Sequence, residues 1–254
     1  MSEQKSNFVR TTKGRVVVGI GVVIAGVLAV LMGIKFQEGG TDTLGSIVPA
    51  QQFPGQEVLR TVTGKKIADL SKTFGPIAQQ RLTAWRALML SPENIGLPER
   101  KRLELVNDFI NQTPFVSDLE QWGREIYWAL PVEFLSTNGG DGEDFAMAKY
   151  FTLRALGVPD AKLKITTVKG TEVRIKAHMV LAYFETPESE PIILDNFDKT
   201  LQPLSARKDL ALVYSFNETG LQGSVQRGSA QSDGSSDHII SRWNDIKRRM
   251  NAAI

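Results

Sequence analysis

The sequence contains no cysteine, which excludes disulfides, thiolate metal sites and thiol catalysis by the chain as it stands. A chain without thiols can still live in an oxidising compartment. It also lacks a dominant charge: 30 Lys and Arg face 28 Asp and Glu, a formal net charge of +2. No uniform field draws nucleic acid to such a surface, so no nucleic-acid partner is expected. Histidine is scarce, with 2 in 254 residues, and any imidazole chemistry must rest on them. What is plentiful is apolar material, 42% of the chain, enough for one main core once an N-terminal segment is set aside. No internal repeat is present.

Val16 to Ile34 carries no charged residue. Lys5, Arg10, Lys13 and Arg15 precede it, and Glu38 and Asp42 follow. As a helix it would cover roughly 28 Å, close to the hydrocarbon thickness, with the basic flank 1–15 kept cytoplasmic and the bulk of the chain exported. An uncleaved inner-membrane anchor is the expectation for 16–34. The competing reading is a cleaved signal segment, against which stand the length of the apolar run and the absence of an A-x-A-like exit at Met32-Gly33-Ile34-Lys35. Gly21, Ala25, Ala29 and Gly33 recur every four residues and would line one helix face, where a second copy could approach to form a homodimer; a generic lipid-facing helix accounts for them equally. Residues 35–60, rich in Gly, Gln and Pro, read as a tether, and 61–254 as the folded domain.

Within that domain, Ile77, Leu82, Trp85 and Leu88 suit one helix face, and Leu103, Val106, Phe109 and Ile110 a second after Pro98. A third helix is expected from about Asp144 to Leu156, stopped by Gly157-Val158-Pro159. The period then changes. Leu163–Val168, Val173–Phe184, Ile192–Asn196 and Leu210–Phe216 are rich in β-branched and aromatic residues with turns between them, and read as an antiparallel sheet. The Ser- and Gly-rich stretch 223–237 reads as a flexible loop, and Ile239, Ile240, Trp243, Ile246 and Met250 as a closing amphipathic helix whose Lys247, Arg248 and Arg249 form a solvated basic end. Helices followed by a run of strands give an α+β fold class, N-terminal helices packed on an antiparallel sheet.

The chemistry-bearing stretch is Gly139-Gly140-Asp141-Gly142-Glu143-Asp144, a glycine turn feeding the third helix. Asp141 suits the N-cap, and Glu143 and Asp144 lie where the helix dipole favours negative charge. Equally, three acids beside flexible glycines could supply oxygen ligands to calcium; composition leaves both readings open. Gly142 occupies the first-turn position where a nucleophile would be activated, but has no side chain. His178 in a strand reads alone as a core histidine, and Asp195 at a strand end as a turn starter. Together, a helix start, a strand histidine and a later acid follow the chain order of a papain-like triad. Ser136 and Thr137 are the nearest hydroxyls, placed in a turn and not expected to reach His178.

The blocks Val106-Asn107-Asp108-Phe109, Trp122, Trp128-Ala129-Leu130-Pro131-Val132-Glu133-Phe134, Gly140-Asp141-x-Glu143-Asp144-Phe145-Ala146 through Ala148-Lys149-Tyr150, Leu153-Arg154 with Leu156-Gly157-Val158, Ala177-His178-Met179-Val180-Leu181, Leu194-Asp195-Asn196 and Tyr214-Ser215-Phe216-Asn217 resemble, in order, the LapG-type bacterial transglutaminase-like cysteine peptidases. The resemblance covers roughly residues 75–250. It implies a papain/transglutaminase-like fold and a periplasmic enzyme that binds calcium and cuts a large surface adhesin near its N-terminus at a paired-alanine site. It also implies sequestration by an inner-membrane cyclic-di-GMP receptor. Carried across by position, His178 would be the general base, Asp195 its orienting acid, and Asp141, Glu143 and Asp144 the calcium carboxylates, while Gly142 matches the nucleophile. Loss of that thiol implies an inactive homologue that binds adhesin or receptor as a decoy, or a protease whose cysteine was replaced. A structural module with coincidental triad remnants is the third reading.

Overall fold

A computed structural model describes residues 55, 57–170, 178–223 and 235–252. The span expected at 16–34, its small-residue stripe and most of the tether lie outside the described residues, as does most of the loop expected at 223–237. Among the described residues no helix is long and apolar enough to cross a membrane. The chain divides into two units, and all that follows concerns the second, Gln52–Ile254.

The helices come first: α1 (Glu57–Arg60), α2 (Gly64–Phe74), α3 (Pro76–Leu90), α4 (Pro92–Ile95), α5 (Glu99–Ile110), α6 (Asp118–Trp122), α7 (Pro131–Thr137) and α8 (Gly142–Ala155). The strands follow: β1 (Leu163–Gly170), β2 (His178–Tyr183), β3 (Ile192–Leu194), β4 (Gln202–Pro203), β5 (Leu210–Asn217) and β6 (Gly220–Gly223), and α9 (Ser235–Ala252) closes the chain. The sheet has the order β4-β3-β2-β1-β5-β6, and its paired strands are antiparallel throughout. The α+β expectation holds. Helix α1 falls in the stretch read as tether, and its Val58 joins the core.

Helix α8 is the axis of the domain. Every one of its residues except Glu143 is buried, as expected of a helix wrapped on all sides. It packs on β2, α5 and α7. It starts two residues earlier than the sequence pattern suggests, because Asp141 has extended backbone and lets the helix begin at Gly142. Its end follows the stop signal: Gly157 takes φ +86°, and Val158 N–H returns to the Leu153 carbonyl at 3.0 Å. The polar residues inside this helix need partners. Thr152 finds Trp85, whose indole N–H donates to its Oγ1 at 2.8 Å, and Arg154 donates to the Val158 carbonyl at 3.0 Å.

Three local details differ from the sequence reading. On α3 the buried line is Ala78, Leu82, Trp85, Leu88 and Met89, while Ile77 is 57% exposed. Five residues from Leu82, Ile77 sits about 140° around the helix and cannot share its face. Ser136 and Thr137 lie in the last turn of α7, not in an open turn, and their hydroxyls bond the carbonyls of Val132 and Glu133 at 2.6 and 3.0 Å. At the far end, α9 lays Trp243 against Phe151, Tyr150 and Phe216. Its Arg249 is no solvated charge. The guanidinium donates to the Trp128 carbonyl and the Tyr127 hydroxyl, both at 2.7 Å, and pairs with Glu133.

Trp85 fills the centre of the helical layer and ties it to α8. Trp85→Ala should therefore lose about 3–5 kcal/mol of stability, read as a lower urea midpoint at unchanged slope; a loss under about 1 kcal/mol would show that the contact is dispensable.

Candidate active site

Gly142, His178 and Asp195 come from the start of α8, the start of β2 and the residue after β3, and the fold brings them into one line. His178 is buried, and its Nε2 lies 2.8 Å from Asp195 Oδ1. A Cβ placed on Gly142 would stand 2.5 Å from His178 Nδ1, 2.9 Å from its Cε1 and 3.3 Å from the Met179 amide nitrogen. One ring nitrogen thus faces the acid and the other faces position 142. The ring also occupies space that a side chain there would need, so any larger residue at 142 must push the imidazole back.

The acid is held from several directions. Asp195 Oδ1 also accepts from the Phe197 amide at 3.0 Å, Oδ2 accepts from Arg207 Nη2 at 2.8 Å, and its carbonyl accepts from Asn111 Nδ2 at 2.8 Å. Burial opposes ionisation of Asp195, but the hydrogen bonds from His178, Phe197 and Arg207 outweigh it and hold the carboxyl well below the usual carboxylate range. An ionised carboxylate only accepts, so His178 Nε2 donates to Asp195 and the ring turns its Nδ1 toward position 142. That is the orientation a general base needs.

Sequence reasoning missed Arg207 and Asn111. Arg207 grips Asp209 through Nε at 2.9 Å and Nη2 at 2.8 Å, so it reaches Asp195 already fixed. Nothing in the linear pattern Ala206-Arg207-Lys208-Asp209 marks it as other than a loop ion pair. Lys149 was quoted only within a family block, and it lies fully buried in α8. Its Nζ finds no hydrogen-bond acceptor among the described residues and sits 6.0 Å from the centre of the Phe145 ring.

The three acids of the turn separate. Asp141 and Glu143 join Asp118, with one carboxylate oxygen from each within 4.8 Å of the others. Asp144 points inward: its Oδ1 accepts from the Ala129 amide at 2.8 Å and its Oδ2 from the Asp141 amide at 3.4 Å. The N-cap residue thus donates from its backbone, while Asp141 Oδ1 is buried with no partner among the described residues, as is Asp118 Oδ1. Burial, then the neighbouring acids, push Asp141 up to about 9. Burial pushes Asp118 up to about 6, although the Tyr127 amide bonds its Oδ2 at 2.5 Å. Three crowded carboxyls, two of them with orphaned oxygens, form an all-oxygen donor set that suits a hard divalent cation. Asp118 was missed because, after Ser117, it reads as an ordinary first-turn acid of α6.

The model of the family described as bacterial transglutaminase-like cysteine proteinase BTLCP matches residues 90–210. The structure of Legionella pneumophila LapG is 40% identical, with a TM-score of 0.60, over 73% of this chain and 96% of that one. The chain belongs to this family. It is also similar to an EGTA-treated Legionella pneumophila LapG, at 39% identity, TM-score 0.61, 73% of this chain and 96% of that one. Against calcium-bound Legionella pneumophila LapG the values are 42% identity, TM-score 0.58, 70% of this chain and 98% of that one. Among curated proteins none matches. The family match spans both the line from Gly142 to Asp195 and the acid cluster, so the fold and the site elements belong to one LapG-type domain.

The buried lysine gives a test of pH dependence. Burial holds Lys149 down to about 7 from 10.5, against the attraction of Asp195. Between pH 7 and 10 the unfolded chain keeps a proton here that the folded chain has lost, so this group's contribution to stability rises with pH across that window; below 7 its penalty is full. Lys149→Met should be more stable than the native chain at pH 6.5, by on the order of a few kcal/mol. The gap should close toward pH 9.5 in urea titrations at the two pH values, and a native chain at least as stable at both would contradict the assignment.

Proposed function

We propose that this protein is a non-cleaving LapG-type domain, anchored at the inner membrane and facing the periplasm. It binds calcium and engages the N-terminal region of a large surface adhesin under the control of a cyclic-di-GMP receptor. The observation that carries this reading is the aim of position 142: its missing side chain points at Nδ1 of His178, whose other nitrogen is held by Asp195. A thiol there would sit at a helix start, where free amides and the dipole favour the thiolate, beside a base already in the required orientation. Glycine leaves the position without a nucleophile while His178 and Asp195 remain paired. Removing the nucleophile of such a triad costs several orders of magnitude in turnover. The nearby hydroxyls of Ser136 and Thr137 are spent on helix carbonyls.

Asp118, Asp141 and Glu143 would hold the calcium, with Asp144 bracing the turn from inside. A bound divalent cation would offset the repulsion among the crowded carboxylates. The similarity to a calcium-bound LapG structure supports this choice of ion. The adhesin, the receptor and the membrane anchor come from the family resemblance and from the apolar run at 16–34.

Gly142→Cys tests the reading. The purified full chain and its Gly142→Cys variant are incubated in calcium with the N-terminal region of a large surface adhesin carrying a paired-alanine site, and fragments are followed by gel. Cleavage by the cysteine variant alone is the expected result; cleavage by the native chain would end the non-cleaving reading. Cleavage by neither would show that the groove no longer positions a scissile bond, and the adhesin would then have to be shown bound by direct affinity measurement. Calcium is tested separately: at about 100 times its Kd it should raise the melting temperature by roughly 5–10 °C. EGTA should reverse the rise and Asp118→Asn should abolish most of it, while an unchanged melting temperature in the native chain would remove calcium from the proposal.

A further inference from the structure

Phe115 and Phe197 stand beside the site with half of each side chain in solvent, 52% and 51% exposed. Neither is held there by the core. The Phe197 amide is fixed by Asp195 Oδ1, and its ring lies 4.6 Å from the His178 ring, centre to centre, tilted by 35°. Phe115 continues the row, its ring 5.5 Å from Phe197 and tilted by 40°. Its own backbone bridges to Gly140, and the next residue, Val116, donates its amide to the Gly140 carbonyl at 2.9 Å. The approach is too close for side chains on the glycine turn. A Cβ on Gly139 would meet Val116 Cγ2 at 2.6 Å, and one on Gly140 would meet Asp144 Oδ2 at 2.5 Å and Phe134 at 2.6 Å. The turn that starts α8 therefore also holds the Phe115 end of the aromatic row, which runs Phe115, Phe197, His178 and ends at position 142.

We propose that Phe115 and Phe197 form a shelf that receives one apolar side chain of an extended polypeptide bound across Gly142, and so set the sequence preference of the groove. The inference rests on the reading of this site as a polypeptide groove. The row is continuous with the imidazole that faces position 142, so a main chain passing that position lies against it. Half-exposed aromatic rings held in place by backbone pairing gain from being covered, and do so at little conformational cost because they are already ordered. An apolar side chain fits such a surface, whereas a charged one would lose its hydration there without a partner.

The probe is a library of random dodecapeptides displayed on phage, selected on the purified native full chain in calcium. The expected result is a set of peptides sharing an apolar residue at one fixed position. Synthetic copies should bind Phe115→Ser about tenfold or more weakly, bind Phe115→Leu nearly as well as native, and bind Ile77→Ser, a change on the exposed side of α3, unchanged. Melting curves of Phe115→Ser that match native exclude a folding defect, and Phe115→Leu keeps the question answerable if they do not. Failure to enrich any peptide, enrichment without a shared apolar position, or equal binding by Phe115→Ser would each overturn the shelf. If peptides depend on Phe115 while the Gly142→Cys variant cuts no adhesin, the shelf stands and the reading of the site as one that positions a scissile adhesin bond falls alone.

Discussion

The hydrogen bond from His178 to Asp195 is the contact around which this domain is arranged, and it exists only because a buried carboxylate is kept charged. An isolated ion at that depth would be expelled or protonated. Arg207, itself pinned by Asp209, together with the Phe197 amide and the imidazole N–H, supplies the compensation. With the acid charged, His178 Nε2 donates to it, and Nδ1 is left facing Gly142. This histidine–acid geometry stands in a chain that carries no thiol.

The start of α8 serves two chemistries that pull in opposite directions. Its first turn faces His178, while the same turn holds Asp141 and Glu143 against Asp118, where burial and the neighbouring acids resist ionisation of Asp141. Asp144 joins the two by bracing the turn from within, against the amides of Ala129 and Asp141. Arg249 of the closing helix reaches the same Trp128 and Tyr127 segment, so the loop that supplies the Ala129 and Tyr127 amides is clamped from the C-terminus. The acid cluster and position 142 thus share a single short turn.

Where the sequence reading worked, it relied on local signals. Asp141 before a buried helix, Gly157 after it and the change of period at Leu163 marked α8 and the sheet, because caps and periodicity are properties of neighbouring residues. Where it missed, the signal was not local. Ile77 was misplaced by a spacing that a helix turns away from the core. Arg249 looked like an end charge because its partners, Trp128, Tyr127 and Glu133, lie far back in the chain. Arg207, Asn111 and Asp118 gave no warning, since each acts only on a group brought to it by folding.

Residue types and their order determined by themselves that thiol chemistry is absent, that the fold is α+β, and that a helix-start glycine, a strand histidine and a strand-end acid occur in triad order. Family membership was already carried by the ordered blocks. Only the tertiary structure decided which ring nitrogen of His178 faces Gly142, which acids cluster and which one turns inward, and that two half-exposed phenylalanines line up with the imidazole. The reason is physical: charge state, tautomer and exposure depend on distances between residues remote in sequence, and those distances are set by how α8 and β2 pack, not by any pattern along the chain.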